Sequence, residues 1–279
     1  MPEREANALI LPLRQWGLTL ESPPRRTPAG WVAMVRRGAD QFMLKQPLAH
    51  DELRAWQVLA HYDGDGAVRL IDHLPNGTVL LERAVPGTPL TQWVLDGNDE
   101  GALAILCGIA ARLHRHAAPA ADFPAIEDWG RGFARHRSTR AAGIPAALLD
   151  RAEMLFAALA SSQGTRRLLH GDLHHDNVLF DRRRGWLSID PKGVLGEPAY
   201  EFGAALRNPT EDVRHFAGPA IAARRAAIIE RELGLDRQRV LDWAFAQAVL
   251  SAIWSLEDGQ DPVRGLATAQ ALVPLVRQR

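Results

Sequence analysis

The stretch that decides the fold reads LHGDLHHDNVLFDRRRGWLSIDPKGVLGEP and covers residues 169–198. It places Asp172 and Asn177 in a D-x-x-x-x-N spacing. Two short apolar pieces, NVLF and WLSID, lie on either side of the charged turn DRRRG, a pattern typical of two strands joined by a turn. Asp190 ends the second apolar piece and precedes a proline. The stretch therefore predicts a polar loop that carries a carboxylate and an amide, followed by a second carboxylate at the end of a strand.

These residue types match what phosphoryl transfer from MgATP to an alcohol requires. One carboxylate accepts the proton of the hydroxyl, and a second carboxylate with an amide holds Mg²⁺ against the phosphates. The spacing of Asp172 and Asn177 is that of a kinase catalytic loop. Asp190 lies where the metal-binding carboxylate is expected. The stretch therefore predicts a phosphotransferase that uses ATP and Mg²⁺.

The chain before this stretch reads as a sheet with one helix. Lys45 ends the third strand, where its charge can neutralise phosphate, and Glu52 at the head of the next helix is its expected ion-pair partner, with Asp51 as the alternative. Apolar residues recur every three to four positions in that helix and alternate in the strands. The strand patterns cover 17–22, 31–37, 41–47, 67–74 and 78–85, and the helical pattern covers 51–62.

Helices predominate in the rest of the chain. Helical patterns cover 99–117, 146–162, 219–233, 237–257 and 262–277, whereas the basic segment 135–143 reads as an exposed connection. We therefore predict an α+β fold with two lobes. The N-lobe, residues 1–84, has a five-stranded antiparallel sheet plus one helix, and the C-lobe, residues 85–279, is mainly helical and holds the catalytic loop and the acceptor site.

The composition limits the class of partner. The chain has 279 residues, of which 47% are hydrophobic, and its 33 basic residues balance its 33 acidic ones. A nucleic acid or a membrane surface as partner usually requires a basic excess, so neither is expected, and no protein partner is evident. The single cysteine, Cys107, excludes an internal disulfide framework. No targeting segment or membrane span is visible, so we expect a cytoplasmic protein that acts on a small molecule.

The motif HGDLHHDN followed by IDPKG resembles the Brenner-type motif of aminoglycoside phosphotransferases, a branch of the protein-kinase-like superfamily. The pieces GWLSIDPKGVLGEPAYEF, ELRAW, AVRLID and AIWSLEDG are similar to the streptomycin 6-kinase and hydroxyurea phosphotransferase family. The resemblance extends from about residue 17 to the C-terminus. It implies a protein-kinase-like fold and transfer of the ATP γ-phosphoryl group to a hydroxyl of an aminocyclitol such as streptomycin, which inactivates the antibiotic.

The resemblance also implies a role for each matching residue. Asp172 would be the catalytic base, and Asn177 and Asp190 would bind Mg²⁺. Lys45 would contact the α- and β-phosphates, with Glu52 as its partner. The hinge, whose backbone reads adenine, would comprise Glu82, Arg83, Ala84 and Val85. The family's G-x-G-x-x-G loop is absent from the sequence, and residues 27–30 are the only candidate nucleotide loop.

The acceptor site is predicted from charge. Streptomycin carries two guanidinium groups, which carboxylates bind through paired hydrogen bonds. The acidic residues near the family motifs are therefore the expected acceptor contacts, namely Glu197, Glu201, Glu257 and Asp258.

Three alternatives stay open at this point. The acceptor can be hydroxyurea or another small metabolite. The cluster of His170, Asp172 and His174 can instead bind zinc in a metal-dependent hydrolase. The chain can also be a nucleotide-binding protein with a kinase fold and no catalytic turnover.

Overall fold

Two strands of eight residues form the centre of the main sheet. They are β3 (Gly30–Arg37) and β4 (Asp40–Pro47), which pair antiparallel along their lengths. Successive side chains of a strand point to opposite faces, so burial alternates along both strands. Val35 and Leu44 are fully buried and lie in the core under the sheet. The central hairpin thus places Lys45 on a strand that the core holds in register.

The computed structural model describes residues 2–27, 29–48, 53–119, 123–139, 142–209 and 218–277. The chain forms two compact units, one of Met1–Thr88 with Leu179–Lys192 and one of Pro89–Val178 with Gly193–Arg279. The predicted boundary after residue 84 differs from this division in two respects: the first unit extends to Thr88, and residues 179–192 also belong to it. They do so because Arg184 forms an ion pair with Glu82 and the Val68 N–H donates to the Ser188 carbonyl at 3.0 Å.

The main sheet has six strands, one more than predicted. Its order is β1-β3-β4-β6-β5, and the additional strand, Arg25–Thr27, pairs with the start of β3. Prolines flank that strand, so the sequence pattern resembles a connection, yet its backbone completes the edge of the sheet. The other strands are β1 (Thr19–Leu20), β2 (Arg25–Thr27), β5 (Leu70–His73) and β6 (Val79–Glu82). A smaller sheet has the order β10-β9-β7, with β7 (Pro86–Pro89), β9 (Val178–Asp181) and β10 (Gly185–Ser188).

The first unit contains two helices, whereas the sequence predicts one. The unpredicted helix, α1 (Pro2–Gln15), places Leu9 in the core of the sheet, and Trp16 follows it there. The Trp16 indole N–H donates to Asp72 at 2.8 Å. The predicted helix is confirmed as α2 (Ala55–Tyr62).

The second unit is built around one long helix. Helix α9 (Arg237–Glu257) is buried on nearly all sides, because helices pack against it from several directions. The surrounding helices are α3 (Thr91–Leu95), α4 (Asp99–Leu113), α5 (Ile126–Thr139), α6 (Ala146–Ser161), α7 (Gly203–Arg207), α8 (Pro219–Leu233) and α10 (Val263–Leu272). A two-stranded sheet of β8 (Arg167–Leu169) and β11 (Val194–Gly196) leads into the polar loop. No helix in the described part of the chain has the length and apolar character to span a membrane.

One helix extends into a segment that the sequence predicts to be a connection. Residues 135–139 of the basic segment 135–143 continue α5, because Phe133 and His136 are buried and hold its last turns against the unit. The helices predicted at 99–117, 146–162, 219–233 and 237–257 are confirmed, and their ends lie within a few residues of the predicted ones.

Candidate active site

Lys45 and Asp190 form an ion pair in the first unit. The sequence predicts that both act on the nucleotide, and the structure brings them together across 145 positions of the chain. The Asp190 backbone has φ 62°, a left-handed conformation that residues other than glycine adopt only when their surroundings require it. The predicted partners Glu52 and Asp51 lie outside the described residues, so their pairing with Lys45 stays a prediction.

In the predicted hinge, Glu82 and Val85 already have hydrogen-bond partners within the first unit. The Glu82 carboxylate accepts the Arg69 N–H at 2.9 Å and forms the ion pair with Arg184. The Val85 N–H donates to Asp181 at 2.9 Å, and the Val85 carbonyl accepts the Arg182 N–H at 2.9 Å. The Glu82 side chain and both backbone groups of Val85 are therefore occupied within the unit. That the backbone of Glu82, Arg83 and Ala84 reads adenine stays a prediction, whereas the Val85 N–H and carbonyl already have partners.

Asp181 is a residue that sequence reasoning missed. Burial alone would raise the pKa of its carboxyl group, but backbone N–H groups of Val85, Arg183 and Arg184 donate to it and hold that pKa below its usual value. The ionised carboxylate fixes the turn of the β9–β10 hairpin and the end of the hinge together. Asp181 thereby stabilises the hairpin that ends at Asp190.

The candidate nucleotide loop is a tight turn between β2 and β3. The Thr27 hydroxyl donates to the Gly30 carbonyl at 3.0 Å and accepts the Gly30 N–H at 3.1 Å. A Cβ at Gly30 would lie 2.1 Å from the Gln46 carbonyl oxygen, so only glycine fits there. Pro28 lies outside the described residues. A role of this turn at phosphate stays a prediction.

Glu201 holds the start of the catalytic loop in the second unit. Its buried carboxylate accepts the N–H groups of His170 and Gly171 at 2.8 and 2.9 Å and lies 3.1 Å from His114 Nε2. Burial alone would raise the pKa of Glu201, but the contacts with His114 and the loop hold it below its usual value. These donors take up both carboxylate oxygens, and the prediction that Glu201 contacts the acceptor stays untested by this geometry.

Asn177 is oriented by the loop it belongs to. Its side-chain N–H donates to the backbone carbonyl of Asp172 at 2.9 Å. The amide oxygen is therefore left as an acceptor, which is the hard oxygen ligand that Mg²⁺ prefers. His175 packs beneath the loop, where burial lowers its pKa to about 3 and keeps the ring neutral.

The Asp172 carboxylate has a cationic or imidazole group near each oxygen. Arg207 Nη2 lies 3.7 Å from Oδ1, and His174 Nε2 lies 3.8 Å from Oδ2. His174 Nδ1 accepts the Asp176 N–H at 3.3 Å, which leaves its proton on Nε2, facing Asp172. Both distances are longer than a hydrogen bond, so the Asp172 carboxylate oxygens can still accept hydrogen bonds from a ligand. Arg207 is a second residue that sequence reasoning missed.

A cavity of about 550 Å³ opens beside Asp172 within the second unit. Of the acidic run SLEDGQD, the cavity wall contains Asp261, whereas Glu257 and Asp258 are exposed outside it. Glu257 pairs with Arg135 through two contacts of 3.2 Å. The wall includes Asp172, Arg207, Ser251, Ser255, Asp261 and Arg264.

Glu197 also lies outside this cavity. It is buried, accepts Arg239 Nε at 2.6 Å and accepts the indole N–H of Trp243. These contacts fasten the segment before Pro198 to helix α9. Of the four predicted acceptor carboxylates, Glu197 and Glu201 are thus held by contacts inside the fold, and Glu257 and Asp258 lie outside this cavity. Their contact with the acceptor stays a prediction. Asp261 is the acidic residue of the cavity wall besides Asp172.

The cavity wall depends on a close helix contact at Gly265. A Cβ there would lie 2.6 Å from the Ala248 carbonyl oxygen and 2.8 Å from the Ala252 nitrogen on helix α9. We expect Gly265→Ala to lower the free energy of unfolding by about 1–3 kcal/mol, because the two backbones must move apart. Gly108→Ala is the matched control, since a Cβ at that exposed helical position meets nothing within 4 Å. It should be neutral or stabilise by up to about 1 kcal/mol. Denaturant unfolding measures both; equal stabilities would contradict the close contact.

The zinc alternative gains no support from the geometry. Among the residues that the structure describes, no group of three or more histidine, cysteine, aspartate and glutamate side chains is arranged to hold a metal ion. His170 is buried, and its Nδ1 accepts the Asp172 N–H at 3.3 Å. The histidines of the loop therefore serve to shape it.

The missed residues differ in the signal that the sequence offers. Asp261 stands one position before a proline at the start of a helical pattern, so it reads as a cap, and its Oδ1 does accept the Val263 N–H at 2.9 Å. Arg207 and Asp181 belong to unremarkable local patterns. Arg207 and Asp181 gain their contacts because the fold brings distant segments to them, and no local spacing indicates this.

Comparison with known proteins places this geometry in context. The model of the family described as aminoglycoside/hydroxyurea antibiotic resistance kinase matches residues 15–259. The chain is 34% identical to streptomycin 3''-kinase of Klebsiella pneumoniae over 95% of this chain and 99% of that one. It is 33% identical to hydroxyurea phosphotransferase of Kitasatospora aureofaciens over 94% of this chain and 76% of that one. It is also 33% identical to streptomycin 6-kinase of Streptomyces glaucescens over 93% and 86% of the two chains.

Solved structures share the fold at low sequence identity. A thermostable mutant of aminoglycoside phosphotransferase APH(4)-Ia, in complex with ADP and hygromycin B, superposes with a TM-score of 0.71 at 15% identity over 96% of this chain and 98% of that one. A choline/ethanolamine kinase family protein from Mesorhizobium loti gives 0.69 at 15% identity over 100% and 96%. The predicted α+β, protein-kinase-like fold is thereby confirmed.

Proposed function

The chain belongs to the aminoglycoside/hydroxyurea antibiotic resistance kinase family, and from this premise we propose that it transfers the γ-phosphoryl group of ATP to a hydroxyl of a streptomycin-like aminocyclitol and so inactivates the antibiotic. The observation that carries the proposal is the cavity beside Asp172, which puts the loop carboxylate in the wall of a ligand-sized space. Three of the curated relatives that match over most of the chain are streptomycin kinases.

The size of the cavity favours an aminocyclitol over hydroxyurea. Sites for drug-sized ligands measure about 300–1,000 Å³, and about 550 Å³ lies within that range. Hydroxyurea has only a few heavy atoms and would leave most of this space filled with water. The wall is also polar, with Ser251 and Ser255 beside the charged residues, which suits a polyhydroxylated ring.

Catalysis in this proposal consists of positioning and charge compensation. Asp172 accepts the proton of the acceptor hydroxyl as the hydroxyl oxygen bonds to the γ-phosphorus, while the bond from that phosphorus to the β,γ-bridging oxygen breaks and ADP leaves. Lys45 neutralises phosphate charge, and its pairing with Asp190 keeps its ammonium group in place. Asn177 and Asp190 offer the oxygens that would hold Mg²⁺, which supplies further compensation of phosphate charge when bound.

The test is a direct assay of acceptor phosphorylation. The purified chain is incubated with MgATP and with streptomycin, hydroxyurea or choline, and products are identified by mass. We expect phosphorylated streptomycin as the main product. Phosphorylation of hydroxyurea alone would overturn the aminocyclitol acceptor, and absence of any ATP turnover would overturn the kinase assignment.

We expect Asp261 to bind a cationic group of the acceptor. Asp261→Asn keeps the acceptor atom for the Val263 N–H, so the start of helix α10 is retained while the negative charge is lost. The streptomycin KM should rise by about tenfold to a hundredfold, which corresponds to one lost hydrogen bond to a charged group. Asp258→Asn, outside the cavity, is the matched control. Steady-state kinetics measure both, and an equal KM in the two variants would contradict the role of Asp261.

A further inference from the structure

We propose that Arg207 is a positioning residue for the catalytic carboxylate, held in place by the buried amide of Gln247. The inference rests on the proposed function, because it takes Asp172 to be the proton acceptor. Arg207 is mostly buried, and its guanidinium lies 3.7 Å from Asp172 Oδ1 in the wall of the cavity. No residue pattern in the sequence indicates this pair.

The amide of Gln247 can face Arg207 in one orientation only. Its side-chain N–H donates to the backbone carbonyl of Tyr200, so its Oε1 is directed away from that carbonyl. Arg207 Nη1 donates to this oxygen at 3.3 Å. Gln247 is buried, and reversing its amide would place an N–H group against a guanidinium donor. The acceptor atom for Arg207 is therefore fixed by the main chain.

The space for this amide requires that residue 203 be a glycine. A Cβ at Gly203 would lie 2.1 Å from Gln247 Oε1, so any other residue there would displace the amide. Gly203 begins helix α7, which ends at Arg207. The same short helix thus leaves room for the amide at one end and supplies the guanidinium at the other.

The main chain around Arg207 is fastened independently. The fully buried guanidinium of Arg225 donates from Nη1 to the carbonyls of Ala205 and Asn208, at 2.9 and 2.7 Å. Its Nε donates to Asp99 at 3.0 Å, so the buried charge is paired. Groups that are held by packing and by a further layer of hydrogen bonds keep the geometry that catalysis needs. Both the backbone and the side chain of Arg207 are held in this way.

The expected effect of Arg207 is on orientation. Its charge attracts Oδ1, while His174 Nε2 lies near Oδ2 at 3.8 Å. With one neighbour at each oxygen, the plane of the Asp172 carboxylate is restricted, and the gap beyond hydrogen-bond distance leaves its lone pairs for the acceptor hydroxyl. Misplacement of a reacting group by about 1 Å can cost about a hundredfold in rate.

The test uses Arg207→Met, which keeps the unbranched apolar stem of the side chain and removes its charged guanidinium group. We expect kcat for streptomycin phosphorylation to fall by about tenfold to a hundredfold, with the KM values for ATP and streptomycin within about threefold of the wild type. Arg207→Lys should recover part of kcat, and Gln247→Met should reduce kcat less than Arg207→Met does. Thermal unfolding of each variant reports its folded fraction, by which the rates are corrected.

A double-mutant cycle separates orientation from a structural effect. In the Asp172→Asn background, Arg207→Met should change the residual rate by less than about twofold, because Arg207 acts through that carboxylate. A full additional loss there would overturn the inference, as would a raised streptomycin KM with unchanged kcat, which would make Arg207 an acceptor ligand.

Failure of the proposed function is recognised separately. If the wild type phosphorylates no streptomycin, the proposed acceptor is wrong, and the same variants are compared by ATP hydrolysis without acceptor, where water replaces the hydroxyl. A lower hydrolysis rate in Arg207→Met, absent in the Asp172→Asn background, would still support the inference, and an unchanged rate would overturn it. A wild type that turns over no ATP overturns both proposals.

Discussion

Replacing Asp172 by asparagine is expected to lower kcat by about two to four orders of magnitude while MgATP binding stays intact. This is the usual contribution of a group that takes a proton in the transition state. Asparagine has nearly the same shape, so the backbone contacts of the loop are retained, including the bond from Asn177 to the carbonyl of residue 172. Steady-state kinetics with saturating streptomycin measure kcat, and calorimetric titration measures nucleotide affinity.

Asp176→Asn is the matched control in the same loop. The Asp176 carboxylate accepts the Thr91 hydroxyl, an interaction that an asparagine oxygen can replace. This variant should keep kcat near the wild-type value. A folded Asp172→Asn protein with wild-type turnover would contradict the assignment of the base, and equal losses in the two variants would indicate a general disturbance of the loop.

The catalytic loop is the part of the site that local sequence predicts well. Asp172 and Asn177 lie in one short turn, where spacing alone determines which groups meet, and the amide of Asn177 does bond back to the loop. Lys45 and Asp190 are far apart in the sequence, yet each ends a recognisable apolar strand. The sequence does not predict that these two residues pair with each other, because it offers Glu52 and Asp51 as the partners of Lys45.

The charge pattern alone does not separate the environments of the predicted acceptor residues. Glu201 and Glu257 are equally acidic in the sequence, but the first is buried with three donors and the second is exposed beside Arg135. Burial of a carboxylate is stable only when donors satisfy it, and those donors come from distant segments. A sequence shows the charge and not the donors, so it cannot separate an internal anchor from a ligand contact.

The main differences between the predicted and the observed fold have a similar origin. Helix α1 is amphipathic but has Pro12 inside it, and it packs Leu9 against the core of the sheet. The strand Arg25–Thr27 lacks strong periodicity and forms because β3 offers a free edge. Residues 135–139 are basic and read as a loop, but the buried Phe133 and His136 continue the helix through them. Tertiary packing overrides weak local preference in each case.

The second large effect is expected at Asp190. Asp190→Asn should weaken Mg²⁺-dependent nucleotide binding by at least about a hundredfold, because changes at residues that only support a metal ligand already cost ten- to a hundredfold. Activity should fall with it. Asparagine is chosen because it adopts the left-handed conformation found here, φ 62°, more readily than most residues. The chain should therefore fold with its hairpin intact and with an acceptor oxygen still facing Lys45.

Two further variants separate charge from backbone. Asp190→Ala removes the carboxylate and also places an ill-suited residue in the left-handed conformation, so it should cost a further 1–2 kcal/mol or so of stability. Asp181→Asn, at the other end of the same hairpin, should lower stability through its lost N–H contacts and leave the Mg²⁺ dependence unchanged. Nucleotide titrations with and without Mg²⁺ distinguish these outcomes. If Asp190→Asn binds nucleotide with the wild-type Mg²⁺ dependence, Asp190 serves Lys45 alone, and the metal ligand has to be sought elsewhere in the chain.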